Sequence, residues 1–91
     1  MRSRFSAYAK RDADYLLRTW HSSTRPKVLE FDPDVRWTRL EILGRTGGGP
    51  FHTGGTVEFD AHYRMGKRPD VMHETSTFVR EDGKWVYLKG S

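Results

Sequence analysis

Glu74 and Ser76 lie between Met72 and Phe78 in a stretch that alternates as a strand does, so all four side chains belong to one face. A carboxylate on a partly apolar face must be paired, hydrogen-bonded or neutralised, and desolvation there lifts its pKa toward the range useful for proton transfer. His21 directly follows an apolar helix face that ends in Trp20, and is the natural second member of an acid/base pair. Glu74 would then be the general base and His21 the acid, with Tyr8, Tyr15 or Ser76 orienting a substrate. The competing and favoured reading is structural: Glu74 makes an ion pair with Arg2 or Arg4, and His21 caps the last helical turn, since ion-pair networks perturb pKa values just as sites do. His73 points to the opposite face from Glu74 and cannot share a pocket with it.

Other chemistry is poorly supported. The four histidines, at 21, 52, 62 and 73, form no H-x-H or H-x-x-x-H pair, and there is no Cys to complete a tetrahedron, so neither a metal nor a cofactor is expected. The glycine-rich run from Thr46 to Gly55 lacks the Lys-Ser/Thr and following helix of a phosphate loop and is expected to be a loose hairpin connection. No Ser-His-Asp or Cys-His set and no Gly-x-Ser-x-Gly is present, so nucleophilic catalysis is unsupported.

The elements that must position these residues follow from periodicity. Phe5, Tyr8 and Ala9 share one helical face, and Ala13, Leu16, Leu17 and Trp20 another, with a break at Lys10 to Asp12 where Asp12 can cap a second helix. Residues 22–36, with Arg25-Pro26 and Asp32-Pro33-Asp34, read as an irregular crossing. From Trp37 the period drops to two, with strands expected at about 37–45, 56–65, 71–81 and 84–89. Asp82-Gly83 specifies a two-residue type I′ hairpin. Its register sets Glu81 against Lys84, Arg80 against Trp85, Val79 against Val86, Phe78 against Tyr87 and Ser76 against Lys89. The fold class is α+β: N-terminal helices packed on a curved antiparallel meander. Residues 1–91 form one domain, with helices at 1–21, the crossing at 22–36 and the sheet at 37–90.

The net charge of +4 is confined to the first 30 residues, where seven Lys/Arg face three Asp/Glu. The basic residues are spread out without an aromatic platform, which favours a solvated helix face over nucleic-acid binding. No run approaches 18 apolar residues and no charged-then-apolar leader opens the chain, so no membrane association is expected and the setting is read as cytoplasmic. A chain of this size should expose roughly 5,500 Å² when folded, leaving a thin core. Both faces of the last hairpin are partly apolar, so a homodimer through the sheet is expected.

MRSRFSAYAKRDADYLLRTWHSSTRP and HETSTFVREDGKWVYLKG resemble the opening and closing signatures of the bacterial YchJ-like family, in its middle domain. The resemblance implies a cone similar to nuclear transport factor 2 and the SnoaL-like proteins, with helices closing over a curved sheet. It also implies flanking Cys-rich SEC-C motifs that bind zinc; this chain has no Cys, so zinc is not carried over. Met1 matches a position usually internal to family members, so the chain is expected to be either a minimal version or an excised domain. No catalytic residue transfers, and Trp20, His21, Glu74, Ser76 and Phe78 are the motif positions to inspect, with Tyr8 and Tyr15. The leading expectation is a non-catalytic module binding a small apolar or amphipathic ligand or another protein. The alternatives are a small isomerase- or dehydratase-type enzyme using Glu74 and His21, and nucleic-acid binding through the basic helices.

Overall fold

The computed structural model describes residues 1–91, with helices α1 (Arg2–Lys10) and α2 (Ala13–Arg18) followed by strands β1 (Val35–Gly47), β2 (Gly54–Met65), β3 (Arg68–Glu81) and β4 (Lys84–Gly90). The helix break falls where expected. Arg11 adopts the left-handed conformation (φ 58°, ψ 43°). Asp12 N–H reaches back to Ala7 O at 2.8 Å and Arg11 N–H to Tyr8 O at 3.2 Å, the paired closure that ends a helix on a left-handed residue. Asp12 then opens α2, its Oδ1 accepting from Tyr15 N–H at 3.1 Å, a cap worth about 1 kcal/mol.

The helical stretch stops at Arg18 rather than His21, because Thr19 to His21 hydrogen-bond to a strand. Tyr87 N–H donates to Thr19 O at 2.9 Å and His21 N–H to Tyr87 O at 2.7 Å, making a parallel bridge at Trp20 and Tyr87. Ser22 N–H and Oγ both donate to Glu81, and Thr24 Oγ1 donates to Leu88 O at 2.7 Å. The crossing segment thus covers the β4 edge, which would otherwise present unpaired backbone groups.

The sheet is a simple antiparallel meander in the order β1-β2-β3-β4. Its strands run longer than expected, β1 starting at Val35 inside the anticipated crossing and β3 at Arg68. Asp82 (φ 53°) and Gly83 (φ 79°) both take positive φ, as a type I′ turn requires. The hairpin register holds from Glu81–Lys84 to Phe78–Tyr87 and then slips. A bulge between Thr77 and Phe78 sets Ser76 against Gly90 instead of Lys89 and leaves Leu88 out of the pairing. Two further irregularities in β1, at Trp37/Arg39 and Ile42/Gly44, bend that strand. Bulges increase local twist, which gives the sheet its curvature.

The connection rich in glycine is fastened, not loose. Arg80 Nε donates to His52 O at 3.0 Å, Arg80 N–H donates to Thr53 O at 3.1 Å, and the guanidinium lies over the Trp85 ring at 4.8 Å.

The core lies between the helices and the inner face of the sheet, and it is small. Leu16, Phe59, Ser76, Ala61, Arg4, Ala7 and Val86 are the seven buried residues. The accessible surface of 6364 Å² exceeds the roughly 5,500 Å² expected for this mass, in keeping with a flattened molecule measuring 43 × 29 × 18 Å. Helix α1 is held on β1 through Phe5 and Tyr8, whose rings meet Trp37 at 6.2 and 6.4 Å, while Trp37 meets Tyr63 at 5.2 Å. Edge and tilted aromatic pairs of this kind contribute about 0.5–1.5 kcal/mol each beyond burial.

Candidate functional site

A cavity of about 250 Å³ opens between α1 and the inner sheet face, and eight of its eleven lining residues are hydrophobic. Phe5 and Tyr8 come from α1, Trp37 from β1, Phe59 from β2, Met72 from β3 and Tyr87 from β4. Two charged side chains interrupt this aromatic wall, Arg4 and Glu74.

Arg4 is the anomaly of the sequence. Expected either on a solvated basic face or in an ion pair with Glu74, it is 4 % exposed. Its Nη1 donates to Thr19 Oγ1 at 3.0 Å and Leu16 O at 3.3 Å, and its Cζ lies 4.4 Å from the Tyr87 ring centre and 5.0 Å from that of Trp20. Nη2 is buried without a hydrogen-bond partner. Burial lowers the pKa, and the nearby tyrosines Tyr8 and Tyr87 oppose that shift. A buried charge without a counter-ion carries an effective penalty of several kcal/mol, offset here in part by two hydrogen bonds and two aromatic faces. The signal was present in the spacing: Arg4 stands three and four residues before Ala7 and Tyr8, on their face of α1.

Glu74 makes no ion pair with Arg2 or Arg4, contrary to the favoured expectation. Burial alone raises its pKa, with no neighbouring charge or hydrogen bond contributing. Its carboxylate occupies the space beside Gly90, where an added Cβ would collide with it and would come 3.0 Å from Tyr87 Oη. Tyr87 feels both charged residues: after burial, which raises its pKa most, Glu74 raises it and Arg4 lowers it.

The expected acid/base pair is not assembled. His21 Nε2 lies 3.4 Å from Glu81 Oε2, and its Nδ1 accepts from Ser23 N–H at 3.0 Å, so it neither meets Glu74 nor caps α2. The pKa of Glu81 is lowered, chiefly by the Ser22 hydroxyl and then by its N–H. Of the residues singled out from sequence, Tyr8, Glu74 and Ser76 line the cavity. Trp20 packs edge-on against Tyr87 at 4.9 Å and bonds Thr24 through Nε1. Phe78 lines a separate groove with Trp85 and Arg45, and Tyr15 lies under Arg18 at 5.5 Å.

On the outer face of the sheet, His73 bridges two carboxylates, Nδ1 to Asp60 Oδ1 at 2.7 Å and Nε2 to Glu58 Oε2 at 3.0 Å. The hydrogen bond to Asp60 is the main cause of its raised pKa. Because the folded value lies above the ordinary 6.5, the stabilisation is complete below pH 6.5 and is lost as pH rises through the folded value. Proton NMR titration should therefore place His73 above 6.5, and Asp60→Asn should bring it down; an unshifted wild-type value would contradict the bridge.

Helices over a bulged antiparallel meander, with a cavity between them, are the architecture of the nuclear transport factor 2-like proteins, and the family model described as "YchJ, middle NTF2-like domain" matches residues 1–90. The chain belongs to the YchJ family. Among YchJ relatives, a UPF0225 protein of Streptomyces coelicolor is 56% identical over 90 residues, covering 99% of this chain and 69% of that protein. A UPF0225 protein of Streptomyces avermitilis is 54% identical, and there the match spans 61% of the relative, less than two thirds of its length. The solution structure of a SEC-C motif containing protein from Rhodopseudomonas palustris superposes with a TM-score of 0.84 at 33% identity, covering all of this chain and 73% of that one. The crystal structure of a SEC-C motif containing protein from Psychrobacter arcticus shares the fold, with a TM-score of 0.77 at 24% identity. No helix of the YchJ domain described here is long and apolar enough to cross a membrane.

Proposed function

We propose that this YchJ domain is a non-catalytic binding module whose cavity under α1 holds a small apolar or amphipathic ligand. The aromatic-walled cavity of about 250 Å³ carries the proposal: it is just below the usual size of small-molecule sites, mostly apolar, with a few polar groups to orient an occupant. An acid/base enzyme is less well supported, because Glu74 has a desolvated carboxyl but no histidine to work with, His21 being engaged by Glu81. Burial of Arg4 takes one of the basic residues out of reach of a nucleic-acid backbone. A homodimer through the outer sheet face would bring together surfaces carrying Glu58, Asp60 and His73 beside exposed Val71, a mixed polar and apolar patch. The proposal keeps the cytoplasmic setting expected from the sequence.

Indole, a flat neutral probe, tests the cavity directly. In a ¹H–¹⁵N titration it should move the Trp37 indole N–H and the Met72 and Tyr87 amides saturably. Met72→Trp, a change at a half-exposed wall residue, should block that response while the rest of the spectrum stays folded. Shifts confined to the outer face, or a response that Met72→Trp leaves intact, would remove the cavity from consideration.

A further inference from the structure

We propose that the cavity selects a small, flat monocarboxylate, its carboxylate accepting from the Arg4 guanidinium and its body lying between the aromatic walls. This ligand class rests on the cavity being a binding site, and adds what the site recognises.

Three observations lead to it. First, Arg4 is buried, lines the cavity and has an Nη2 without an acceptor, while its Nη1 is already committed to Leu16 O and the Thr19 hydroxyl. A guanidinium fork matches a carboxylate in geometry and charge better than any other small acceptor. No ion pair supplies that carboxylate from within the chain: Glu74, the only acidic side chain of the wall, is in none of the salt bridges. Second, Arg4 is the only basic side chain of the wall, and Glu74 shares the cavity. One basic side chain opposed by one carboxyl suits a monoanion, and a phosphate dianion would be repelled more strongly by Glu74 once that group ionises. Third, Phe5, Tyr8, Trp37, Phe59 and Tyr87 present rings to a space too small for an extended chain, which favours a flat body over a long acyl tail. Tyr87 lines the same cavity, its ring centre 4.4 Å from Arg4 Cζ.

The test compares isosteres on the 91-residue chain at pH 7: trans-cinnamate, its neutral amide and phenyl phosphate, each titrated by ¹H–¹⁵N NMR. Cinnamate should bind about tenfold tighter than cinnamamide, as a charge-assisted pair in a desolvated site requires. The Arg4 Nε–H resonance should move with cinnamate and stay still with the amide. In Arg4→Met the preference should fall to about twofold or less, the amide's own affinity being kept. Because the Arg4 Nε–H signal is read in wild type, the outcome does not depend on the variant folding. Amide bound as tightly as acid would overturn the anion class and leave the cavity standing. Absence of any cavity shift with either would sink both. Tighter binding of phenyl phosphate would replace the carboxylate with a phosphate ester.

Discussion

Phe59→Ala is expected to lower stability by about 3–5 kcal/mol and to leave the domain largely unfolded at 37 °C. Phe59 is 1 % exposed at the middle of β2, flanked by Ile42 on β1 and Glu74 on β3, and is the largest of the three most deeply buried side chains. Deleting its ring removes the transfer free energy of the aromatic group and enlarges a cavity already present beside it, which the surrounding structure cannot close without moving α1. Native domains are typically stable by about 5–15 kcal/mol, and a core of seven residues belongs near the lower end. Urea unfolding followed by Trp fluorescence would show the midpoint falling at unchanged slope. A loss below about 1 kcal/mol would mean that α1 collapses onto the sheet and that the cavity is plastic.

Arg4 gives the second large effect, and its sign depends on the replacement. Arg4→Ala empties a buried volume and strips the donor from Leu16 O and Thr19 Oγ1, so a loss of about 2–5 kcal/mol is expected. Arg4→Met keeps much of the volume and removes a desolvated charge whose Nη2 has no partner, so it should match wild type or exceed it by about 1–4 kcal/mol. A separation of several kcal/mol between the two variants, read from their urea midpoints, would show that shape holds the helices down and that the charge is kept for something else. Equal losses in both would show instead that the guanidinium hydrogen bonds themselves hold α1 to α2.

The architecture was legible because it rests on local signals. Asp12 marks its own cap and Asp82-Gly83 its own turn, and alternation from Trp37 onward identifies the sheet. What could not be read depends on contacts between distant parts of the chain. The bulge at Thr77/Phe78 carries no local mark, and it moved Ser76 from Lys89 to Gly90. Trp20-His21 looked like the end of a helix because backbone pairing with Tyr87, 67 residues away in sequence from Trp20, cannot be seen in a periodicity. Glu74 and Ser76 share a strand face by alternation, and with Tyr8 of α1 they line the cavity. Arg4 is named by the sequence as a partner for Glu74, but its bonds to Leu16 O and Thr19 Oγ1 join elements that periodicity cannot relate.

The bridge between Trp20 and Tyr87 also constrains the order of assembly. The three hairpins of the meander pair neighbours in sequence and can form as soon as each second strand is made, whereas the N-terminal segment needs a partner from the final seven-residue strand. Residues 1–20 therefore have no strand edge to join until Lys84–Gly90 is in place, and their contacts are the long-range ones of this fold. The docking of that strand closes the β4 edge and fixes Arg4 between Trp20 and Tyr87 at one time. The same docking brings Tyr87 into the cavity wall beside Arg4, so the wall is complete only when the two distant segments have met.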